Sequence, residues 1–259
     1  MKISGIFCRF LVDCFMKLKF EFFKTFPKIF TRFFKSLYKH KLDYNLSELI
    51  SKGLDINVIY DIGAYHGEWS KSLSKTSLKK RDFILFEANQ TNSEYLNKTK
   101  FKYFIGVLSN EKKKINFYSR KLTGDSYYRE QTSGYDNNLE PEIVTSITLD
   151  EIIKKENLKL PNLIKIDTQG SEIDILKGAK NATTHCDLIY LETPIIEYNL
   201  NSPSLNECVD YLKSINFIPF DICDVHYFDK MLIQIDILYI KKTKFLEIFP
   251  GGKSSNFLK

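Results

Sequence analysis

Residues 58–70 read VIYDIGAYHGEWS. An apolar run closes on Asp61, Gly63 and Gly67 follow four residues apart, and a polar stretch able to wind into a helix comes next. That is the pattern of a strand, a tight turn and a helix start. Glycine lets a backbone take positive φ and lets a ligand come close. The first turn of the following helix offers free N–H groups. The spacing is Gly-x-x-x-Gly rather than the Gly-x-Gly-x-x-Gly of a typical dinucleotide site, which weakens a pyrophosphate reading.

From residue 57 onward the same pattern repeats. Apolar runs predict strands over 57–62, 82–87, 102–108, 162–167, 187–192, 217–221 and 233–241, with extra strands at 115–119 and 143–147. Helices are expected over 67–74, 91–98, 151–156, from 168 through 177, and over 204–214, with Thr148 or Asp150 capping the third. Strands alternating with helices predict a mostly parallel sheet covered on both faces. Four strands end in acids: Asp61, Glu87, Asp167 and Glu192. Ligands of open parallel sheets bind outside the carboxyl ends of the strands, so these carboxylates converge on the ligand edge.

The chain has 259 residues, with 43% hydrophobic and 27% charged, the balance of a globular protein with one main domain and an appendage. Its five cysteines (Cys8, Cys14, Cys186, Cys208 and Cys223) are scattered without a Cys-x-x-Cys pair, so neither a zinc knot nor a disulfide framework is expected, and a reducing cytoplasm suits them. Residues 1–42 hold ten Lys and Arg against Asp13 and Glu21, a balance of +8, while the whole chain is +6. The remainder is close to −2 (6 minus 8) and lacks a basic stripe with interleaved aromatics, so no nucleic-acid partner is expected.

Three segments follow: residues 1–50 as a basic, Phe-rich helical extension, 51–245 as the domain, and 246–259 as a polar tail. Within 6–40, Phe7, Leu11, Cys14, Leu18, Phe22, Ile29 and Phe33 recur at helical spacing beside a stripe of lysines and arginines, with Pro27 as a kink or break. Charges interrupt this stretch too often for a span or a signal peptide. Two readings stay open: a helix lying on an anionic membrane surface, or one packing its Phe face on protein.

Glu87, ending the second strand, is placed to accept both hydroxyls of a ribose. Asp61 at the turn can hold a ligand ammonium. A ligand with an amino acid at one end and a nucleoside at the other is S-adenosylmethionine; a nicotinamide or other nucleotide, and a purely structural turn, are the alternatives. VIYDIGAYHGEWS, ILFEANQTNSEYL, GVLSN, SITLDEI, LIKIDTQGSEIDILKGAK, LIYLETPIIEYN and QIDILYIKK, in that order, resemble the successive blocks of the FkbM family of methyltransferases, from about residue 57 to 241. The most distinctive is IKIDTQGSEIDILKGA, with the Gln form of the motif at Gln169. The first 50 residues lie outside the resemblance.

The resemblance implies a Rossmann-like class I methyltransferase fold, seven main strands with the last antiparallel, S-adenosylmethionine as donor and an oxygen as acceptor. By it, Asp61, Gly63, Ala64 and Gly67 form the methionine-side loop, Glu87 takes the ribose, Ser109 lies near the adenine, and Asp167 faces the transferred methyl. The acceptor is expected to be a small molecule or glycan precursor. A base near the acceptor proton helps methyl transfer to a hydroxyl. Asp167, then Glu192, are candidates, and His226, expected in a turn before the last strand, is a third. The alternatives are that Asp167 and Glu192 hold a divalent metal, or only bind substrate hydroxyls or cap helices; no metal site is assigned. His66 contacts ligand or faces solvent. The loop 121–140, with Tyr127, Tyr128 and Tyr135, closes over the cofactor or is a flexible insertion. Two rival functions remain: a nicotinamide-dependent oxidoreductase, and a non-catalytic membrane-associated module that keeps the fold.

Overall fold

Every residue of Val58–Ile62 (β1) is buried, as a strand covered on both faces must be. The computed structural model describes residues 40–119, 124–132 and 138–250. Beside β1 lie Asp82–Glu87 (β2) and Leu163–Ile166 (β6), both parallel to it. Outward from β2 comes Lys102–Ile105 (β3). Outward from β6 come Leu188–Pro194 (β7), Met231–Lys241 (β9) and Phe217–Phe228 (β8). The seven-stranded order is β3-β2-β1-β6-β7-β9-β8, and β9 alone runs against its neighbours. This is a Rossmann-like α/β sheet with the antiparallel last strand that was expected. Because the chain moves from β1 to β3 on one side and returns to β6 on the other, the direction of winding switches between β1 and β6. A crevice opens at such a point.

Alternation along the strands divides the core. Tyr60, Ile62, Phe86, Ile164, Ile166, Ile189 and Leu191 face one layer, which holds Leu149–Lys155 (α4), Glu172–Lys177 (α5) and Leu205–Ser214 (α7). Ile59, Leu85, Leu163, Leu188 and Leu238 face the other. There Lys41–Ser51 (α1) buries Leu42, Leu46 and Leu49, and Glu68–Leu73 (α2) buries Leu73. Burying each such side chain contributes roughly 1.5–3 kcal/mol. Ser93–Asn97 (α3), Lys180–His185 (α6) and Lys242–Ile248 (α8) complete the helices of the described residues. Lys114–Phe117 (β4) and Glu142–Thr145 (β5) pair antiparallel apart from the main sheet.

Contacts divide the chain into Met1–Lys41 and Leu42–Lys259, and the elements above from Leu42 onward belong to the second unit. The sequence-drawn boundary after residue 50 falls inside α1. The amphipathic helix expected over 6–40 lies, save for His40, outside the described residues, as do 251–259 of the tail. Among the described residues no helix is long and apolar enough to cross a membrane.

Two local expectations change. Thr148 and Asp150 were alternatives for one helix start, and each caps a different one. Thr148 forms a reciprocal capping box with Glu151 at α4, while Asp150 accepts the Asn181 and Ala182 N–H groups at the start of α6. The segment 223–231 (CDVHYFDKM), expected as a turn, is mostly strand. Strand β8 runs on to Phe228, with register shifts that leave Phe220 and Cys223 unpaired, and the chain reverses at Asp229 with φ 54°.

Candidate active site

The end of β1 meets the end of β6 so closely that only glycine fits between them. Gly63 has φ 71°, and a Cβ on it would lie 1.8 Å from the Asp167 carbonyl oxygen. The N–H groups of Gly63 and Ala64 both donate to the Phe86 carbonyl, tying the turn to β2. Tyr65, at φ 49°, donates its N–H to Glu87 Oε2 at 2.7 Å, and the Asn89 N–H reaches Glu87 Oε1 at 2.9 Å. Burial pushes the Glu87 carboxyl above its ordinary range, and those two N–H groups pull the other way.

Beneath the turn lies an ion pair. Asp61 is fully buried; its Oδ2 accepts from Ser70 Oγ at 2.6 Å, and its Oδ1 is 3.1 Å from Lys165 Nζ. Lys165 also donates to the Gly63 carbonyl at 2.8 Å and lies 3.4 Å from Asp167 Oδ2. Burial alone would push the Lys165 ammonium down; the charges of Asp61 and Asp167 more than offset it and hold the pKa above its usual value.

Above these groups a cavity of about 260 Å³ opens at the carboxyl ends of β1, β2, β6 and β7. Gly63, Glu87, Asp167, Gln169 and Glu192 form its polar wall, and Phe86, Val107, Leu108 and Phe117 its apolar one. From the tyrosine loop, Gly124, Asp125 and Tyr127 line the space. Asp125 accepts from Asn89 Nδ2 at 2.6 Å, Ser126 Oγ donates to the Gln169 carbonyl at 2.9 Å, and the Tyr127 and Tyr128 hydroxyls donate to Asp174 at 3.2 and 3.3 Å. The start of the described tyrosine loop, through Tyr127, thus lies on the cavity.

Behind Asp167 the acids are held by amides. Gln169, strained at φ 57°, reaches Asp167 Oδ1 at 3.4 Å and Glu192 Oε1 at 2.5 Å. Gln234 Nε2 donates to the same Glu192 oxygen at 2.5 Å and contacts the Tyr198 hydroxyl, which donates to Gln169 Oε1 at 2.7 Å. Burial, then the charges of Asp167, Asp236 and Glu172, hold the Glu192 carboxyl well above the usual carboxylate range, with Lys165 opposing. On β8, His226 Nε2 lies 3.1 Å from Asp236 Oδ1, a bond that raises the imidazole above its ordinary value against the effect of burial. Tyr190 donates to the other Asp236 oxygen at 2.7 Å.

Of the residues singled out from the sequence, Gly63, Glu87, Asp167 and Glu192 line the cavity. Asp61, Ala64, Gly67 and Ser109 do not. Asp61 faces Lys165 and Ser70, where a ligand ammonium had been expected. Ala64 and Gly67 shape the turn, and Ser109 is buried, 3.4 Å from the Tyr127 hydroxyl. His226 stands in a strand rather than a turn and is off the cavity wall. His66 stacks between Tyr65 and Tyr95, at 3.6 and 3.7 Å. Sequence reading missed Lys165, Gln234 and Asp236. Lys165 had a signal: a lysine inside the apolar run LIKI must find a carboxylate if the strand is buried.

The description "Methyltransferase FkbM domain" matches residues 61–219. Among solved structures, similarity extends to a methyltransferase FkbM from Methylobacillus flagellatus KT, at 18% identity and TM-score 0.46, over 72% of this chain and 43% of that one. A precorrin-6y C5,15-methyltransferase from Geobacter metallireducens GS-15 is similar at 14% identity and TM-score 0.41, over 76% and 87%. The magnesium protoporphyrin IX methyltransferase of Synechocystis PCC 6803 is similar at 7% identity and TM-score 0.43, over 77% and 77%. No curated protein sequence matches the chain.

Proposed function

Because the chain belongs to the FkbM family of methyltransferases, we propose that it is an S-adenosylmethionine-dependent O-methyltransferase acting on a hydroxyl of a saccharide or glycan precursor. The observation that carries this reading is one cavity with Glu87 on one side and Asp167 and Glu192 on the other. The residues fit the cofactor. Glu87 is fixed by two N–H groups and offers its carboxylate to a ribose diol. Gly63 keeps the turn bare, so backbone rather than a side chain meets the methionine end. Phe86, Val107, Leu108 and Phe117 suit a flat base.

S-adenosylmethionine brings a methyl group already activated on a sulfonium, so the protein's task is alignment and proton removal. Asp167 is the residue for the proton: it lines the cavity, its side chain is 39% exposed, and Lys165 and Gln169 fix its two oxygens. Tyr127 and the amides beside Glu192 offer the donors and acceptors that a polyhydroxyl acceptor needs. The basic, Phe-rich sequence of residues 6–40 supports attachment to an anionic membrane surface, close to lipid-linked acceptors.

The test is calorimetry with S-adenosylhomocysteine and, separately, NAD. Heat with the first and none with the second is expected; the reverse, or no heat with either, overturns the cofactor assignment. Mass spectrometry of native glycans with and without the protein then tests the acceptor, by the gain of one CH₂ per modified hydroxyl.

A further inference from the structure

Three strands bring one imidazole and two carboxylates together, Glu192 on the cavity wall and His226 and Asp236 off it. Glu192 lies near the end of β7, Asp236 on β9 and His226 on β8, and one ligand atom from each lies within 4.8 Å of the others. We propose that Glu192, His226 and Asp236 bind a divalent first-row metal ion, whose open positions take neighbouring hydroxyls of the acceptor beside Asp167.

The geometry supports this. Ligands about 2.1 Å from a metal stand about 3.0 Å apart at a right angle and about 3.4 Å apart in a tetrahedron. His226 Nε2 and Asp236 Oδ1 are 3.1 Å apart. A ligand atom of Glu192 lies within 4.8 Å of both. A metal site also needs outer bonds that aim its ligands. Two of the three have them: Tyr190 holds Asp236 through the oxygen that does not face His226, and Gln169 and Gln234 both hold Glu192 through Oε1. The second oxygen of Glu192 is left for the ion.

Charge supplies an independent reason. In the sheet register Asp236 stands directly opposite Glu192 on one side and Asp224 on the other. Like charges facing each other across strands destabilise a sheet. The buried cation Lys165 is already committed to Asp61, Asp167 and the Gly63 carbonyl. A divalent cation at the His226 end relieves this row. Two oxygens and one imidazole nitrogen form a borderline donor set suited to Mn²⁺ or Zn²⁺ rather than to soft ions.

That acceptor hydroxyls occupy the open positions rests on the saccharide reading above; ion binding does not. The full chain, stripped with EDTA, is titrated with Mn²⁺ by electron paramagnetic resonance and with Zn²⁺ by calorimetry, without cofactor or acceptor. Saturation at one ion per chain is expected. His226→Gln and Asp236→Asn should each weaken binding by about 100-fold or more, and Tyr190→Phe by about 10-fold. Thermal unfolding of each variant without metal checks that it folds. Failure of the unaltered chain to saturate with either ion, or unchanged affinity in a folded Asp236→Asn, overturns the site. Such a failure leaves the methyltransferase reading intact, because that one stands or falls with S-adenosylhomocysteine.

Discussion

Lys165 decides more about this site than its single charge implies. It is buried between two carboxylates and a carbonyl, so its removal leaves Asp61 buried and unpaired. Lys165→Met is expected to cost about 3–5 kcal/mol, while Asp61→Asn with Lys165→Met costs less than the single change because no lone charge remains. A double-mutant cycle by urea denaturation reads the difference; a double variant no more stable than Lys165→Met refutes the pairing. Glu87 carries a pH dependence of definite sign. Burial raises its folded-state pKa above the unfolded value, so its contribution to stability is full at acid pH and is lost as pH rises through the raised value. Cofactor affinity moves oppositely, because the ribose is held by the carboxylate form. From about pH 7 to about pH 4, S-adenosylhomocysteine affinity should fall, beginning above the ordinary glutamate range of about 4.3, and Glu87→Gln should remove that fall. A wild-type curve that is flat above the ordinary range contradicts the role of Glu87.

At the scale of elements, helix α4 owes its start to Thr148 and Glu151, away from the cavity. Thr148→Ala is expected to lower stability by about 0.5–2 kcal/mol in urea denaturation and to leave S-adenosylhomocysteine affinity unchanged. A shift in affinity would tie the helix to the site. The same helix illustrates what was readable: Thr148 was one of the two caps expected for it, and it is the one that forms. Helix α6 was not readable. Its sequence KNATTH carries no apolar period, and it forms because Asp150, from a preceding helix, accepts its first N–H groups. The end of β8 failed for a related reason. Asp224 and His226 are half-buried in the strand, where His226 bonds Asp236, while the local sequence CDVHYFDKM reads as a polar turn.

For the molecule as a whole, the strongest separation is of charge. The basic excess of residues 1–42 is set against a body near neutrality. Removing residues 1–40 should abolish flotation with liposomes of anionic lipid while S-adenosylhomocysteine affinity is kept. Equal flotation of the full and shortened chains would discard the membrane reading.

By itself the sequence determined the alternation of strands and helices, the glycine turn that needs positive φ, the apolar core and the acids at strand ends, because each is written in neighbouring residues. Motif blocks spread over most of the domain also carried its family. Only the tertiary structure decided that Lys165 sits against Asp61, that Gly124, Asp125 and Tyr127 line the cavity, and that Glu192, His226 and Asp236 meet. Those facts depend on strand order and register between segments far apart in the chain, and local periodicity carries neither.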